Sequence, residues 1–233
     1  MEPSITQAII LAGGRAERLR PYSDSMPKAL MPVGGLALIT RQLSWLAAQG
    51  IGQVVIASRY QHRQISEFVG GGGYYGLRVR HAVEPSPLGT AGAVAYAHGA
   101  LEDPARPFLL VNGSVVTDLP LAPLFERHAQ ARASATMALV RYTTERPVAL
   151  ESEDGRIRAL PQVQLLPYWI DAGLTVLQPY TVKMLPEVGE ITNVYETIAA
   201  EGLLSAYHAP DQVFWREIAT VGDIYAYPDS ATG

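Results

Sequence analysis

The sequence predicts an α/β protein: a Rossmann-like, mostly parallel mixed sheet flanked by helices, with a small antiparallel subregion. Three observations predict it. Short apolar runs alternate with segments whose apolar residues recur at helical spacing, the pattern of βαβ units with strands covered on both faces. Turns rich in glycine follow several of these runs, as at Leu11-Ala12-Gly13-Gly14 and Val111-Asn112-Gly113. After about residue 141 the texture changes to short strand-like pieces separated by turns, including Glu153-Asp154-Gly155, which suits antiparallel pairing.

Taken in order, residues 5–11 read as a buried first strand. Residues 36–49 carry Leu36, Ile39, Leu43, Leu46 and Ala47 at helical spacing and stop at Gly50, a natural C-terminal cap. A strand at 53–57, a helix at 61–69 and a strand at 78–83 follow. Residues 90–100 form a helix of small residues, 108–111 a central strand, 121–131 a helix and 135–140 a strand. Residues 148–151 and 156–160 make the antiparallel pieces, and 173–177 return to the main sheet. Helical patterns close the chain at 195–200 and 224–227. No low-complexity linker and no internal repeat divides the chain, so one domain over 1–233 is expected.

Composition bounds the function. With 48% apolar and 17% charged residues the chain has material for a large core and is not a disordered sequence. A net charge of −4 excludes a broad electropositive face for nucleic acid, so an anionic ligand must be held by a local cluster. Cys 0 excludes a disulfide scaffold, a thiolate metal site and a cysteine nucleophile. The N-terminus lacks a basic leader, and no run approaches the roughly 18 apolar residues of a membrane span. A soluble cytoplasmic protein without a membrane partner is expected, and nothing in the sequence favours a monomer over a homo-oligomer. Of 18 Lys and Arg, only Lys28 and Lys183 are lysines. Lys183 lies in a helical pattern beside Met184-Leu185 and reads as a solvated face, whereas Lys28 follows Met26-Pro27 close to a cluster of arginines.

That cluster lies in the first of three candidate segments, Leu11-Ala12-Gly13-Gly14-Arg15-Ala16-Glu17-Arg18-Leu19-Arg20-Pro21. Two glycines at a strand's carboxyl end let the backbone turn and aim N–H groups into the crevice where open α/β sheets bind ligands. Together with Arg15, Arg18, Arg20 and Lys28 they suit a triphosphate; the plain alternative is a glycine turn with solvated arginines. No P-loop sequence occurs, and the G-x-G-x-x-G match from Gly71 to Gly76 follows a helix and precedes a strand, the reverse of a dinucleotide fingerprint. The second segment runs from Glu84 through Pro85-Ser86-Pro87-Leu88-Gly89-Thr90-Ala91-Gly92 to Ala93, where small residues let a helix start pack against a flat ligand or simply against protein. In the third, Asn112-Gly113-Ser114 emerges from a central strand into the same crevice.

These segments, in this order and spacing, resemble the sugar-1-phosphate nucleotidyltransferase family, with its L-A-G-G-x-G-T-R-L-x-P…P-K, E-x-x-P-L-G-T-A-G-A and N-G-D motifs. The resemblance runs from Ile5 to Tyr227, and the chain looks like the compact members without a hexapeptide-repeat tail. It implies that a sugar 1-phosphate and a nucleoside triphosphate react to a nucleotide sugar and pyrophosphate. It also implies a nucleotide-binding part at about 1–140, and a sugar-binding part with C-terminal helices at about 141–228. Arg18 matches the arginine on the β- and γ-phosphates, and Lys28 the lysine near the α-phosphate. Leu11, Ala12, Gly13, Gly14, Arg15, Glu84, Pro87, Gly89 and Thr90 fall on the nucleotide, and Asn112, Gly113, Asp171 and Gly173 on the sugar. Glu84, an acceptor only, suits the adjacent N1–H and N2–H₂ donors of guanine and tilts the expectation toward GTP.

The family binds Mg²⁺ through two aspartates, and both positions differ here: Ser114 stands in N-G-D, and Glu217 in Trp215-Arg216-Glu217-Ile218-Ala219-Thr220. Asp118 and Asp223 read as a helix cap and a surface acid. Other departures are Ala16, Glu17, Pro147 in place of a sugar-binding glycine, Pro161-Gln162 where the family has E-K, and Asp171 for asparagine. Three readings accommodate them: a working transferase with a rearranged metal site, a nucleotide or nucleotide-sugar binding subunit without catalysis, and an introduced Asp→Ser change. The histidines at 62, 81, 98, 128 and 208 show no ligand spacing, and Tyr168, Tyr195 and Tyr207 fall where the acceptor pocket is expected.

Overall fold

The computed structural model describes residues 5–144, 150–151, 157–159 and 164–227. Strand β1 (Gln7–Leu11) is followed by a short helix α1 (Tyr22–Ser25), the hairpin β2 (Pro32–Val33) and β3 (Leu36–Ala37), and helix α2 (Leu38–Ala48). Then come β4 (Gln53–Ser58), α3 (His62–Val69), β5 (Arg78–Val83), α4 (Gly89–His98), β6 (Phe108–Asn112), β7 (Val115–Thr117) and α5 (Leu121–Ala131). The remainder is β8 (Ala135–Thr144), β9 (Leu150–Glu151), β10 (Ile157–Ala159), β11 (Gln164–Leu177), α6 (Ile191–Ala200), β12 (Leu204–His208), β13 (Trp215–Glu217) and α7 (Val221–Tyr225).

Seven strands form one sheet in the order β12-β8-β11-β6-β1-β4-β5. Strand β11 is antiparallel to both of its neighbours, β6 and β8, while the other pairs are parallel, so β11 alone runs against the rest. The period-2 geometry of a strand sends successive side chains to opposite faces, and both faces are dry here. Ala8 and Ile10 of β1, Val54 and Ile56 of β4, and Leu109 and Val111 of β6 pack under α2, α3 and α5. Ile9, Val55, Phe108 and Leu110 between them pack under α4 and α6. Burying one Ile or Leu contributes about 1.5–3 kcal/mol, so these two layers outweigh any surface ion pair as the source of stability.

The outlines of the sheet match the sequence expectation, with three differences. Beyond the strands expected from residues 5–11, 53–57, 78–83, 108–111 and 135–140, the structure adds β12 at the sheet edge and a separate antiparallel ribbon of β7 with β13. The returning strand β11 begins at Gln164 rather than 173, and its pairing with β8 shifts register between Asp171 and Thr175. The expected antiparallel pieces appear as β9 paired with β10, while the turn at Glu153-Asp154-Gly155, and also Pro147, Pro161 and Gln162, lie outside the described residues. Asp118 is not a helix cap, because its Oδ1 accepts the Phe214 N–H at 2.8 Å. Asp223 is more than a surface acid, because its carboxylate accepts the Thr220 and Ala219 N–H groups and closes a capping box on α7.

His128 of α5 is a buried titratable group away from the carboxyl ends of the central strands, 3% exposed. Its Nδ1 lies 2.9 Å from Thr136 Oγ1 of β8, and Gln178 Nε2 lies 2.9 Å from its Nε2. With the Gln178 amide donating, the ring is neutral with its proton on Nδ1. Burial holds the imidazole down at about 4. In the unfolded chain the ring titrates at its ordinary value, so below that value the unfolded state binds the extra proton and stability falls with falling pH. Chemical denaturation should therefore give a protein roughly 2 kcal/mol less stable at pH 5 than at pH 7 through this residue. A His128→Gln variant should lose most of that slope, and an unchanged slope in the variant would place the acid sensitivity elsewhere.

Candidate functional site

The carboxyl ends of β1, β4 and β6 open onto a cavity of about 570 Å³, within the usual size of a small-molecule site. Its floor is built by close backbone approach. The Gly113 N–H donates to the Leu11 carbonyl at 3.0 Å, and the Ala12 N–H donates to Ala57 at 2.7 Å. A Cβ on Gly113 would sit 2.1 Å from the Leu11 oxygen, so only glycine fits the turn after β6. Leu11, Ala12, Gly13 and Gly14 consequently line the cavity together with Asn112, Gly113 and Ser114. Beyond them Ala16 adopts a left-handed backbone, φ 51°, and its carbonyl accepts the Leu19 N–H, which buries Leu19 and leaves Arg18 exposed. Arg15 stacks on Tyr60, 5.7 Å from the ring centre.

Lys28 lines the cavity from the turn after Pro27. Burial lowers its ammonium to about 8, Glu217 pulls it back up, Arg18 adds to the lowering and Asp223 opposes it weakly. Lys28, Arg18 and Glu217 thus form one electrostatic neighbourhood, although neither Arg18 nor Arg15 nor Glu217 is among the residues that line the cavity itself. Asp171 belongs to the same neighbourhood. Its carboxyl is pushed up first by loss of solvent, then drawn down by the Gly173 N–H that donates to Oδ1 at 2.8 Å, and raised again by the charge of Glu217. Gly173 has φ 70°, and its α-carbon faces Asn112 and Val115 so tightly that a Cβ would meet both at 2.9 Å. The register shift in β11 carries Asp171 and Gly173 over the end of β6, where both line the cavity.

A second neighbourhood surrounds Glu84. This carboxylate is 7% exposed, with its own N–H donating to the Ser58 carbonyl at 2.9 Å. Loss of solvent raises its titration, while the Leu88 N–H and the charge of Arg59 lower it. A Cβ on Gly13 would stand 2.5 Å from its Oε1, so the glycine turn and the carboxylate are fitted to each other. Pro87, Leu88, Gly89 and Thr90 continue the wall. Here the reading of Gly89 and Gly92 as room for a flat ligand needs correction: Cβ atoms on them would meet Gly189 O at 2.4 Å and Glu187 O at 2.2 Å, so their small size admits the 187–190 segment.

The β7–β13 ribbon pairs Glu217 with Val115, and the Ile218 N–H donates to the Ser114 carbonyl at 2.8 Å. Ser114 and Glu217 are therefore neighbours: Ser114 Oγ lies 3.3 Å from Glu217 Oε1 and donates at 2.7 Å to Asn112 Oδ1. Sequence reasoning brought these two together only through the resemblance. It missed Arg59, Thr175, Glu190 and Thr192, which also line the cavity. Arg59 follows directly on the strand end of β4, a position that the carboxyl-end rule marks; Thr175, Glu190 and Thr192 carry no local signal. Tyr195, expected near the acceptor pocket, is 7% exposed in the cavity wall and bonds Thr175, and burial raises its hydroxyl strongly. Tyr168 is exposed, and Tyr207 sits on β12 outside the lining.

The sequence pattern of the nucleotidyl transferase family matches residues 7–227. A mannose-1-phosphate guanylyltransferase of Mycobacterium tuberculosis is 31% identical over 223 residues, which is 93% of this chain; the chain spans 62% of that relative's length. An N-acetylmuramate alpha-1-phosphate uridylyltransferase of Neisseria meningitidis is 36% identical over 164 residues, 69% of this chain and 68% of the relative. The crystal structure of HddC from Yersinia pseudotuberculosis complexed with GMP-PN superposes with a TM-score of 0.72 at 19% identity, covering 96% of this chain and 98% of that one, which is a likeness of fold.

The glycine contacts give a direct test of this construction. Gly113→Ala should cost about 3 kcal/mol in thermal or urea denaturation, since the added methyl collides with backbone. Gly14, with nothing within 4 Å of an added Cβ, should accept alanine within about 0.5 kcal/mol. Equal losses at both positions would contradict the assigned contact.

Proposed function

The chain belongs to the nucleotidyl transferase family, and from that premise we propose that it transfers a nucleotidyl group from a nucleoside triphosphate, GTP by preference, to a sugar 1-phosphate. An oxygen of the sugar phosphate forms a bond to the α-phosphorus, the bond from that phosphorus to the bridging oxygen of the β-phosphate breaks, and pyrophosphate leaves. Such a reaction asks the protein for positioning and charge neutralisation more than for covalent chemistry. The observation that carries the reading is the pair of polar neighbourhoods in one cavity. Glu84 with Arg59 lies beside the glycine turn, and Lys28 and Asp171 both feel the charge of Glu217.

In this reading the backbone of Leu11 to Gly14 and the Pro87–Gly89 wall hold the nucleoside, and Glu84 accepts from N1–H and N2–H₂ of guanine. The guanylyltransferase name of the mycobacterial relative and the GMP-PN in the HddC complex point the same way, while the uridylyltransferase relative marks the competing base. Lys28 approaches the α-phosphate as a compact point charge, and Arg18 meets the outer phosphates from the exposed turn. Asn112, Gly113, Asp171 and Gly173 hold the sugar, with Thr175, Thr192 and Tyr195 behind them.

Mg²⁺ is part of the proposal. The oxygen donors near the reacting phosphates are the carboxylates of Glu217 and Asp171 and the Ser114 hydroxyl. Among the described residues no group of three or more His, Cys, Asp or Glu shares one position. Hard oxygen donors of this number fit a cation that takes its other ligands from substrate phosphates and water. When bound, the ion would supply charge neutralisation at the phosphates, and Glu217 of β13 with Ser114 just before β7 would be the residues that hold it. A second reading, a nucleotide-binding subunit without transfer, draws on Ser114, whose hydroxyl is already engaged with Asn112 and Glu217.

Pyrophosphate release with mannose 1-phosphate, N-acetylmuramic acid 1-phosphate and a nucleotide panel tests the proposal. Release with GTP well above UTP or dTTP supports it, release with UTP preferred overturns the base assignment, and calorimetric nucleotide binding without release selects the subunit reading. Lys28→Ala should lower kcat about 100-fold or more while weakening nucleotide binding less than about tenfold. Because triphosphate favours the charged ammonium, nucleotide affinity should fall as pH rises through about 8; Lys28→Arg should remove that limb. Ser114→Asp should tighten Mn²⁺ binding in the presence of nucleotide about tenfold by calorimetry, since it adds an anionic ligand.

A further inference from the structure

We propose that Thr90 is a positioning residue for the acceptor, tying the nucleotide wall to the helix that shapes the sugar end; the inference rests on the transfer reading above. Thr90 belongs to the segment that sequence reasoning assigns to the nucleotide, yet its hydroxyl is fully engaged elsewhere. Oγ1 donates to Glu190 Oε2 at 2.6 Å and accepts the Ile191 N–H at 2.8 Å. Ile191 is the first residue of α6, so the hydroxyl satisfies one of the N–H groups that a helix start leaves without a partner, from a residue a hundred positions away. Glu190, flanking the same helix start, offers no side-chain cap of its own.

Backbone bonds run in both directions beside it. The Ala91 N–H donates to Gly189 O at 2.8 Å, and the Gly189 N–H donates to Leu88 O at 2.9 Å. The missing side chains of Gly89 and Gly92 let the 187–190 segment lie against α4. One turn of α6 therefore moves with the start of α4. Leu88 and Gly89 line one stretch of the cavity, and Thr192 and Tyr195 of that helix line another, with Tyr195 bonded to Thr175 of β11. Beside the apolar packing of α4 on α6, the Thr90 hydroxyl is a side-chain hydrogen-bond link between the two, and its loss leaves the Ile191 N–H without this partner and Glu190 free to swing into the sugar end.

The test uses the full chain with Thr90→Val, which keeps the shape and removes the hydroxyl, and Thr90→Ser, which keeps the hydroxyl. Initial rates are measured with GTP and mannose 1-phosphate varied separately, and amide hydrogen exchange is followed over residues 191–195. Thr90→Val should raise the acceptor KM about tenfold with the nucleotide KM within about twofold, and speed exchange in 191–195 about tenfold. Thr90→Ser should stay near wild type on both readouts. The proposal is overturned if the two KM values rise together, if serine fails to rescue, or if exchange is unchanged. Should Thr90→Val not fold, Glu190→Ala, which removes the acceptor of the Thr90 hydroxyl, takes its place with the same expectation of a selective acceptor effect, and a nucleotide-only effect overturns the proposal. If wild type transfers to no sugar 1-phosphate, the transfer reading has failed by itself. Exchange then decides the tie: faster exchange in valine with serine rescue sustains it, and unchanged exchange overturns it.

Discussion

The approach of the turn after β6 to the end of β1 is the constraint on which the site depends. Gly113 and Leu11 share a hydrogen bond at 3.0 Å with no room for a Cβ between them. Parallel neighbours in a buried sheet end at the same level, so their carboxyl ends define a ledge. Bringing the two loops into contact closes the bottom of that ledge, and Gly13 and Gly14 line the cavity above it. Everything else is positioned relative to it: Glu84 against Gly13, Asn112 against Gly173, and Ser114 against Glu217 across the β7–β13 ribbon. The reversal of β11 completes the arrangement. An antiparallel strand beside β6 passes over the carboxyl end of its neighbour and continues beyond it, so the residues around Asp171 reach a cavity that a parallel strand would only have bordered.

Two kinds of polar burial are at work, and they do different things. His128, Thr136 and Gln178 form a closed set of hydrogen bonds that fixes α5 on β8 away from the lining of the site cavity, so its cost appears as acid sensitivity. Lys28 and Glu84 are buried against the cavity with their charges incompletely matched by protein, and each is shifted toward neutrality by loss of solvent. A ligand bearing the opposite charge or complementary donors relieves that penalty, whereas an apolar ligand cannot. The unfavourable part of the burial is thus the part that a ligand's chemistry offsets.

How much of this the sequence revealed depends on the range of the interaction. Strand 78–83 and helix 121–131 have the same bounds in sequence and structure, because the alternation of exposed Arg78 and Arg80 with buried Val79 and the 3.6-residue spacing of the helix are local properties. The ribbon of β7 and β13 was missed: three residues on each strand carry no usable period, and Val115 meets Glu217 from a distant part of the chain. Thr90 illustrates the limit at the site. Its motif placed it correctly at a helix start on the cavity wall, while its hydroxyl partners, Glu190 and Ile191, come from a segment with no pattern of its own. Gly89 and Gly92 were legible as requiring close approach, and the approaching group, the backbone of 187–190, was not.

The serine at 114 acquires a physical meaning from its neighbours. A carboxylate there would add a third negative charge to Asp171 and Glu217 and draw the ammonium of Lys28 upward. A hydroxyl leaves this region one charge less negative, lets Asn112 take the serine proton as a neutral hydrogen bond at 2.7 Å, and leaves Lys28 and Arg18 beside two carboxylates, Asp171 and Glu217, rather than three. A polyanion approaching the Lys28 side of the crevice then meets less repulsion than a third carboxylate would impose.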